Sequence, residues 1–166
     1  NSLFGGIHSP HLVLGLFSQV LAAPQPDWPP QTRVTGFPFY RSPNSEDLSG
    51  ELMRFLDGGE PPVVFTLGSS AVLAPGNFYL EAAAALRELG YRAVLLAGQE
   101  AQKLPPELLP EGTIAVEYAP HSELFPRSAA IVHHGGVGTT GEALLAGRPM
   151  LVVPDDFVRP DNAARV

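Results

Sequence analysis

Two histidines stand side by side at the head of the segment His133-His134-Gly135-Gly136-Val137-Gly138-Thr139-Thr140-Gly141-Glu142. Imidazole beside closely spaced glycines suits anion chemistry. The ring can donate a hydrogen bond to a phosphate oxygen, and glycine lets the main-chain amides come close. A short apolar run, Ala130–Val132, precedes the pair and reads as a buried strand. A helical pattern follows, with Gly147 as its stop and Pro149 just beyond. Strand, glycine turn and helix start together form a phosphate cradle, because the first amides of a helix lack internal acceptors and carry partial positive charge. Thr139 or Thr140 is predicted as the N-cap, which places Glu142 in the first turn.

The same glycines carry a second reading. Gly136, Gly138 and Gly141 satisfy G-x-G-x-x-G, with Asp155 about twenty residues on, the pattern of an NAD(P)-dependent oxidoreductase domain. Such patterns open the first strand–helix unit of a domain, whereas this one follows what reads as the fourth strand. A dinucleotide site also has no use for paired imidazoles there, but a departing diphosphate does. A packing role competes with ligand binding for the pair itself. Neighbours on a strand face opposite ways, so His133 is expected to pack and His134 to face the site. His121 divides evenly between loop and site rim. No grouping of His, Asp and Glu has metal-ligand spacing, so no metal is expected.

The elements that must hold this turn alternate in type. Val63–Leu67, Tyr91–Leu96, Thr113–Glu117 and Met150–Val153 read as further strands, and Ser18–Ala22 and Arg33–Thr35 as short ones. Helical spacing spans Asp47–Leu56, with Asp47 as cap, and Asn77–Leu89, with Asn77 as cap and Gly90 as stop. His121–Phe125 reads as a helical turn, and Pro160–Val166 as the start of a helix. Pro24–Pro30 is neither helix nor central strand, since its prolines remove donors and fix φ; Trp28 within it is expected to pack as an anchor. Nearly continuous apolar strands alternating with helices imply an α/β fold, a Rossmann-like parallel sheet with helices on both faces. Ligands in such sheets bind at the carboxyl ends of strands. Gly68-Ser69, Tyr118, His133-His134 and Pro154-Asp155-Asp156 should therefore converge on one edge.

Composition narrows the classes. The chain has 166 residues, 45% of them hydrophobic, enough for one domain with a core. Its formal net charge of −7, with only ten Lys and Arg, argues against nucleic acid and anionic membrane partners. There is no cysteine, which excludes disulfides and thiolate metal sites. No apolar run reaches the length of a membrane span, so no stable membrane insertion is expected. Leu12–Ala23 has the character of a signal-peptide core, but neither an initiating methionine nor a basic lead-in precedes it. The chain reads as a piece of a longer protein.

Residues Val63–Val166, through His133-His134-Gly135-Gly136, Thr139-Thr140, Glu142, Gly147-x-Pro149, Pro154-Asp155-Asp156 and Asn162-Ala163-Ala164, resemble the donor-binding half of a two-domain GT-B glycosyltransferase. The likeness is to the UDP-glycosyltransferases, in the branch acting on natural products and sterols. It implies residues 1–41 as the tail of an acceptor domain plus linker, and residues 42–166 as a C-terminally truncated donor domain. The implied activity is inverting, metal-independent transfer of a hexose from a UDP- or TDP-sugar to a small lipophilic acceptor, with no further cofactor and a cytoplasmic location. By resemblance His134, Gly136, Gly138, Thr139 and Ser69 contact the donor diphosphate. Tyr118, Ala119 and Glu142 hold the nucleoside, and Asp155, Asp156 and Arg159 the sugar. The general base belongs to the other half, and the fragment alone is expected to be inactive. Relatives carry Asp-Gln where this chain has Val158-Arg159, which opens a further alternative, a sugar-epimerising or non-catalytic nucleotide-sugar-binding relative.

Overall fold

The computed structural model describes residues 8–39, 41, 48–68, 75–154 and 158–166. Strands β1 (Val13–Gly15) and β2 (Thr32–Val34) form a parallel pair with Val13 opposite Thr32. Between them the proline-rich crossing is fixed by an edge-to-face contact of Phe17 and Trp28, centroids 5.9 Å apart. The strand expected at Ser18–Ala22 is absent. The amides of Leu21 and Ala22 both donate to the Ser18 carbonyl, so that stretch satisfies its backbone as a turn, and the strand lies upstream.

A second sheet holds β3 (Val63–Thr66), β4 (Ala93–Leu96), β5 (Thr113–Val116), β6 (Ala130–His133) and β7 (Met150–Val152). All its pairings are parallel, in the order β5-β4-β3-β6-β7. Helices α1 (Gly50–Asp57), α2 (Phe78–Leu89), α3 (His121–Leu124), α4 (Val137–Ala146) and α5 (Arg159–Ala163) accompany it. Alternate strand residues feed two cores. Val64, Val94, Leu96 and Ile131 pack with Leu52 and Leu56 of α1, Leu124 of α3 and Ala143 of α4. Phe65, Ala93, Leu95 and Val132 pack with Tyr79, Ala82 and Leu86 of α2. The sheet is thus covered on both faces, the α/β arrangement its apolar runs require.

Helix ends follow local chemistry. Gly90 and Gly147 close α2 and α4 in the left-handed region, at φ 69° and 64°. Helix α1 is capped by Ser49, whose hydroxyl accepts from the Leu52 amide at 3.2 Å; Asp47, the expected cap, lies outside the described residues. Asn77 precedes α2 as expected but makes no side-chain cap bond. The strand order reverses between β3 and β6: the chain runs outward through β4 and β5, then returns to lay β6 on the other side of β3. A crevice forms at the carboxyl ends of strands where such a reversal occurs.

Candidate functional site at the strand reversal

Thr66 at the end of β3 pairs with His133 at the end of β6, so Gly68 and His134 leave the sheet beside one another. The His134 ring fills the space between them. A Cβ on Gly68 would lie 2.6 Å from its Cε1, and one on Gly136 would lie 2.5 Å from its Nε2. Gly68 also has φ +66°, and the Thr139 hydroxyl lies 3.4 Å from where its Cβ would stand, an ordinary contact distance. Two glycines from two strand ends therefore seat one imidazole under the turn, with only 4% of His134 exposed.

His133 faces the other way, as the strand alternation requires, and is fully buried. Its Nδ1 accepts from the Gly135 amide at 3.1 Å, and its Nε2 lies 3.5 Å from Met150 Sδ on β7. With Nδ1 as acceptor, the neutral ring carries its proton on Nε2. Burial, reinforced by the charges of His134 and His121, lowers its pKa to about 4. His133 thus anchors the turn as a neutral acceptor. His121, the first residue of α3, stacks on Phe125 at 4.4 Å and 14°. Its pKa is likewise lowered to about 4, by burial first and then by His134.

Helix α4 begins earlier than expected. Its N-cap is Gly136, and its first internal bond runs from the Thr140 amide to the Gly136 carbonyl at 2.9 Å. Thr139 and Thr140 are helical, not caps. The Thr140 hydroxyl turns back to the same carbonyl at 3.0 Å. Glu142 is consequently the sixth residue of α4, beyond the first turn. The amides of Val137, Gly138 and Thr139 precede the first internal bond and have no acceptor within the helix. Gly138 is exposed, and among the described residues no heavy atom lies within 4 Å of where its Cβ would stand, apart from its own neighbourhood in the helix, whereas Thr139 is buried. Glu142 is half-buried, and burial raises its pKa against the lowering effect of Arg41.

Asn162 belongs to the motif that carries the resemblance but was assigned no role from sequence, and it completes the turn. Its Nδ2 donates to the buried Gly135 carbonyl at 2.8 Å, and the residue is itself 8% exposed. Gly135 stands at φ +86°, where a Cβ would lie 2.9 Å from Val152 Cγ1 and 3.1 Å from the Arg159 carbonyl. The glycine turn is thus gripped by β6, β7, α4 and α5. Asn162→Ala should strip the Gly135 carbonyl of its donor and cost about 1–3 kcal/mol. That is a fall in Tm of roughly 2–4 °C for each kcal/mol lost, readable by circular dichroism. An unchanged Tm would show that this amide does not secure the turn.

The other expected site residues are less tightly grouped. Tyr118 follows β5 and is 66% exposed, while the adjacent Ala119 is buried against the α3 and α4 side of the core. Arg159 opens α5, beside Gly135. Ser69, Asp155 and Asp156 lie outside the described residues. Among the described residues, no three His, Cys, Asp or Glu side chains cluster as metal ligands would.

A family model described as "Erythromycin biosynthesis protein CIII-like, C-terminal domain" matches residues 85–166. The chain is 42% identical over 147 residues to O-mycaminosyltylonolide 6-deoxyallosyltransferase of Streptomyces fradiae, covering 89% of this chain and 33% of that protein. It is 39% identical over 124 residues to vancomycin aglycone glucosyltransferase of Amycolatopsis orientalis, covering 75% and 30%. A sterol 3-beta-glucosyltransferase of Arabidopsis thaliana is 32% identical over 145 residues, covering 87% and 24%. The chain spans about a third or less of the length of these relatives. The glycotransferase of kitacinnamycin superposes with a TM-score of 0.74 over 93% of this chain and 39% of its own, at 24% identity, a likeness of fold. A UGT transferase from Siraitia grosvenorii, crystallised in complex with UDP, gives a TM-score of 0.55 at 27% identity, over 68% of this chain and 30% of its own. The reversed parallel sheet, the identities and the matched residues agree: the chain belongs to the GT-B-type glycosyltransferases and carries their erythromycin biosynthesis protein CIII-like C-terminal domain.

Proposed function

We propose that this chain binds the donor of an inverting, metal-independent glycosyltransferase that moves a hexose from a UDP- or TDP-sugar to a small lipophilic acceptor. The observation that carries the reading is the start of α4, where three amides without helical acceptors stand beside the imidazole of His134 at the strand reversal. In the transfer, an acceptor hydroxyl oxygen bonds to the anomeric carbon as the bond from that carbon to the diphosphate oxygen breaks. The nucleoside diphosphate leaves, and the acceptor proton passes to a base on the other half of the enzyme. Negative charge grows on the departing diphosphate, and fixed amides, a helix N-terminus and an imidazole donor offset it where it develops.

The nucleoside then runs along α4. Glu142 is four residues from Gly138 and shares its helix face, about one 5.4 Å turn away, a separation that suits a ribose held beyond its diphosphate. Tyr118, exposed at the end of β5, offers a ring face for the base, and the Ala119 backbone its edge. Thr139 and Ser69 add hydroxyls toward the phosphates. Asp155, Asp156 and Arg159 are assigned to the sugar. A cytoplasmic location fits a nucleotide-sugar donor; among the described residues, no helix is long and apolar enough to cross a membrane.

Calorimetric titration with UDP, TDP and NAD, with and without magnesium, tests this reading. Magnesium-independent binding of UDP or TDP is expected. Binding of NAD alone would overturn it in favour of the dinucleotide reading of Gly136, Gly138 and Gly141. Failure of the full-length protein to bind UDP or TDP would also overturn it.

A further inference from the structure

Gly141 has no part in the phosphate turn. It sits five residues into α4, where glycine costs about 1 kcal/mol relative to alanine, and it is not among the glycines of positive φ. Its reason is steric. A Cβ there would lie 2.6 Å from Cδ1 of Phe37 and 2.9 Å from both Cε1 and Cγ, so the ring lies flat on the bare helix backbone. Phe39 packs against Phe37 with centroids 5.6 Å apart. The segment bearing both rings is tied at its other end to the two-stranded sheet, where Thr35 donates to the Gly15 carbonyl at 3.0 Å and Gly36 to the Phe17 carbonyl at 3.1 Å. Arg41 contributes a positive charge felt at Glu142.

We propose that residues 36–39 form a strap that positions the phosphate-binding helix, with Phe37 as a positioning residue seated in a notch that only glycine leaves open at 141. Helix α4 carries the free amides at its start and Glu142 one turn later, so its rotation decides whether both meet one nucleotide. The ring on Gly141 blocks that rotation. Phe37 itself touches no substrate. The inference rests on the reading of α4 as the nucleotide helix.

A double-mutant cycle in the full-length protein separates the claims. Gly141→Ala, Phe37→Ala and the double variant are compared by Tm and by UDP or TDP affinity, with Phe37→Leu as a milder change that keeps an apolar contact. Gly141→Ala should weaken nucleotide binding about tenfold, and the double variant should recover much of that loss, because the added methyl then meets no ring. Donor KM should rise more than kcat falls. Additive Tm effects would overturn the notch. Coupled Tm effects with unchanged nucleotide affinity would overturn the positioning role and leave a purely structural contact. A parent protein that binds neither UDP nor TDP would overturn the nucleotide reading and the positioning role with it, while the Tm cycle would still decide whether the strap is docked.

Discussion

His134→Ala should weaken UDP or TDP binding by about 10- to 100-fold, the loss of one hydrogen bond to a charged group, worth roughly 1.5–3 kcal/mol. The size follows from how the ring is held. Gly68 and Gly136 leave the space that His134 occupies, so the imidazole is placed before any ligand arrives and loses little freedom on binding. Alanine removes the donor and also empties the seat beneath the turn. His134→Gln separates the two effects, since its amide retains a donor of similar reach; it should recover part of the affinity. The converse change leaves the histidine and removes its room. Gly136→Ala would set a Cβ 2.5 Å from Nε2 and must displace either ring or turn, so its nucleotide affinity should fall at least as far. Calorimetry on all three variants gives the answer. Wild-type affinity in His134→Ala would show that the amides of α4 hold the diphosphate unaided.

The parts of this site legible in sequence are those built from neighbours along the chain. Strands β3 and β6 could be read because burial on both faces makes all but their last residues apolar, as in Val64 and Phe65, which feed opposite cores. Strand β1 could not: Leu14 is 52% exposed, so no burial pattern marks it. The start of α4 was misplaced for a specific reason. Glycines at 136 and 138 read as loop and the threonines as caps, but Gly136 itself begins the helix, and Thr140 spends its hydroxyl on the Gly136 carbonyl. The consequence is functional, because it moves the free amides back to Val137, Gly138 and Thr139 and places Glu142 a turn along. The roles of Asn162 and Phe37 were invisible for a different reason. Each acts on a residue distant in sequence, Gly135 and Gly141 respectively, and no local spacing encodes that meeting. The resemblance motif marks Asn162 without giving its partner, which the structure supplies, since a buried amide must find one.

Acid should destabilise this domain well before its carboxylates titrate, and two histidines set the window. Burial, with His134 adding positive charge nearby, holds His121 and His133 at about 4 against an ordinary 6.5. In the unfolded chain both take up protons near 6.5; in the fold they resist until about 4. Over that interval the unfolded state binds more protons, so stability rises with pH. It is fully present above about 6.5 and is lost progressively as pH falls toward 4. Each histidine accounts for up to roughly 3 kcal/mol over the interval, at 1.36 kcal/mol per pKa unit, a large share of a typical domain stability of about 5–15 kcal/mol. Tm measured from pH 7.5 to 4.5 should therefore fall steeply through the range where free histidine titrates. His121→Gln should flatten that slope by about half. His133→Asn should do the same while keeping an acceptor for the Gly135 amide, because the asparagine oxygen can take the place of Nδ1. Carboxylates contribute equally in parent and variants, so the difference between the curves isolates the histidines. Parallel curves would mean that the folded protein accepts these protons as readily as the unfolded chain, and that His133 does not hold the turn as a neutral ring.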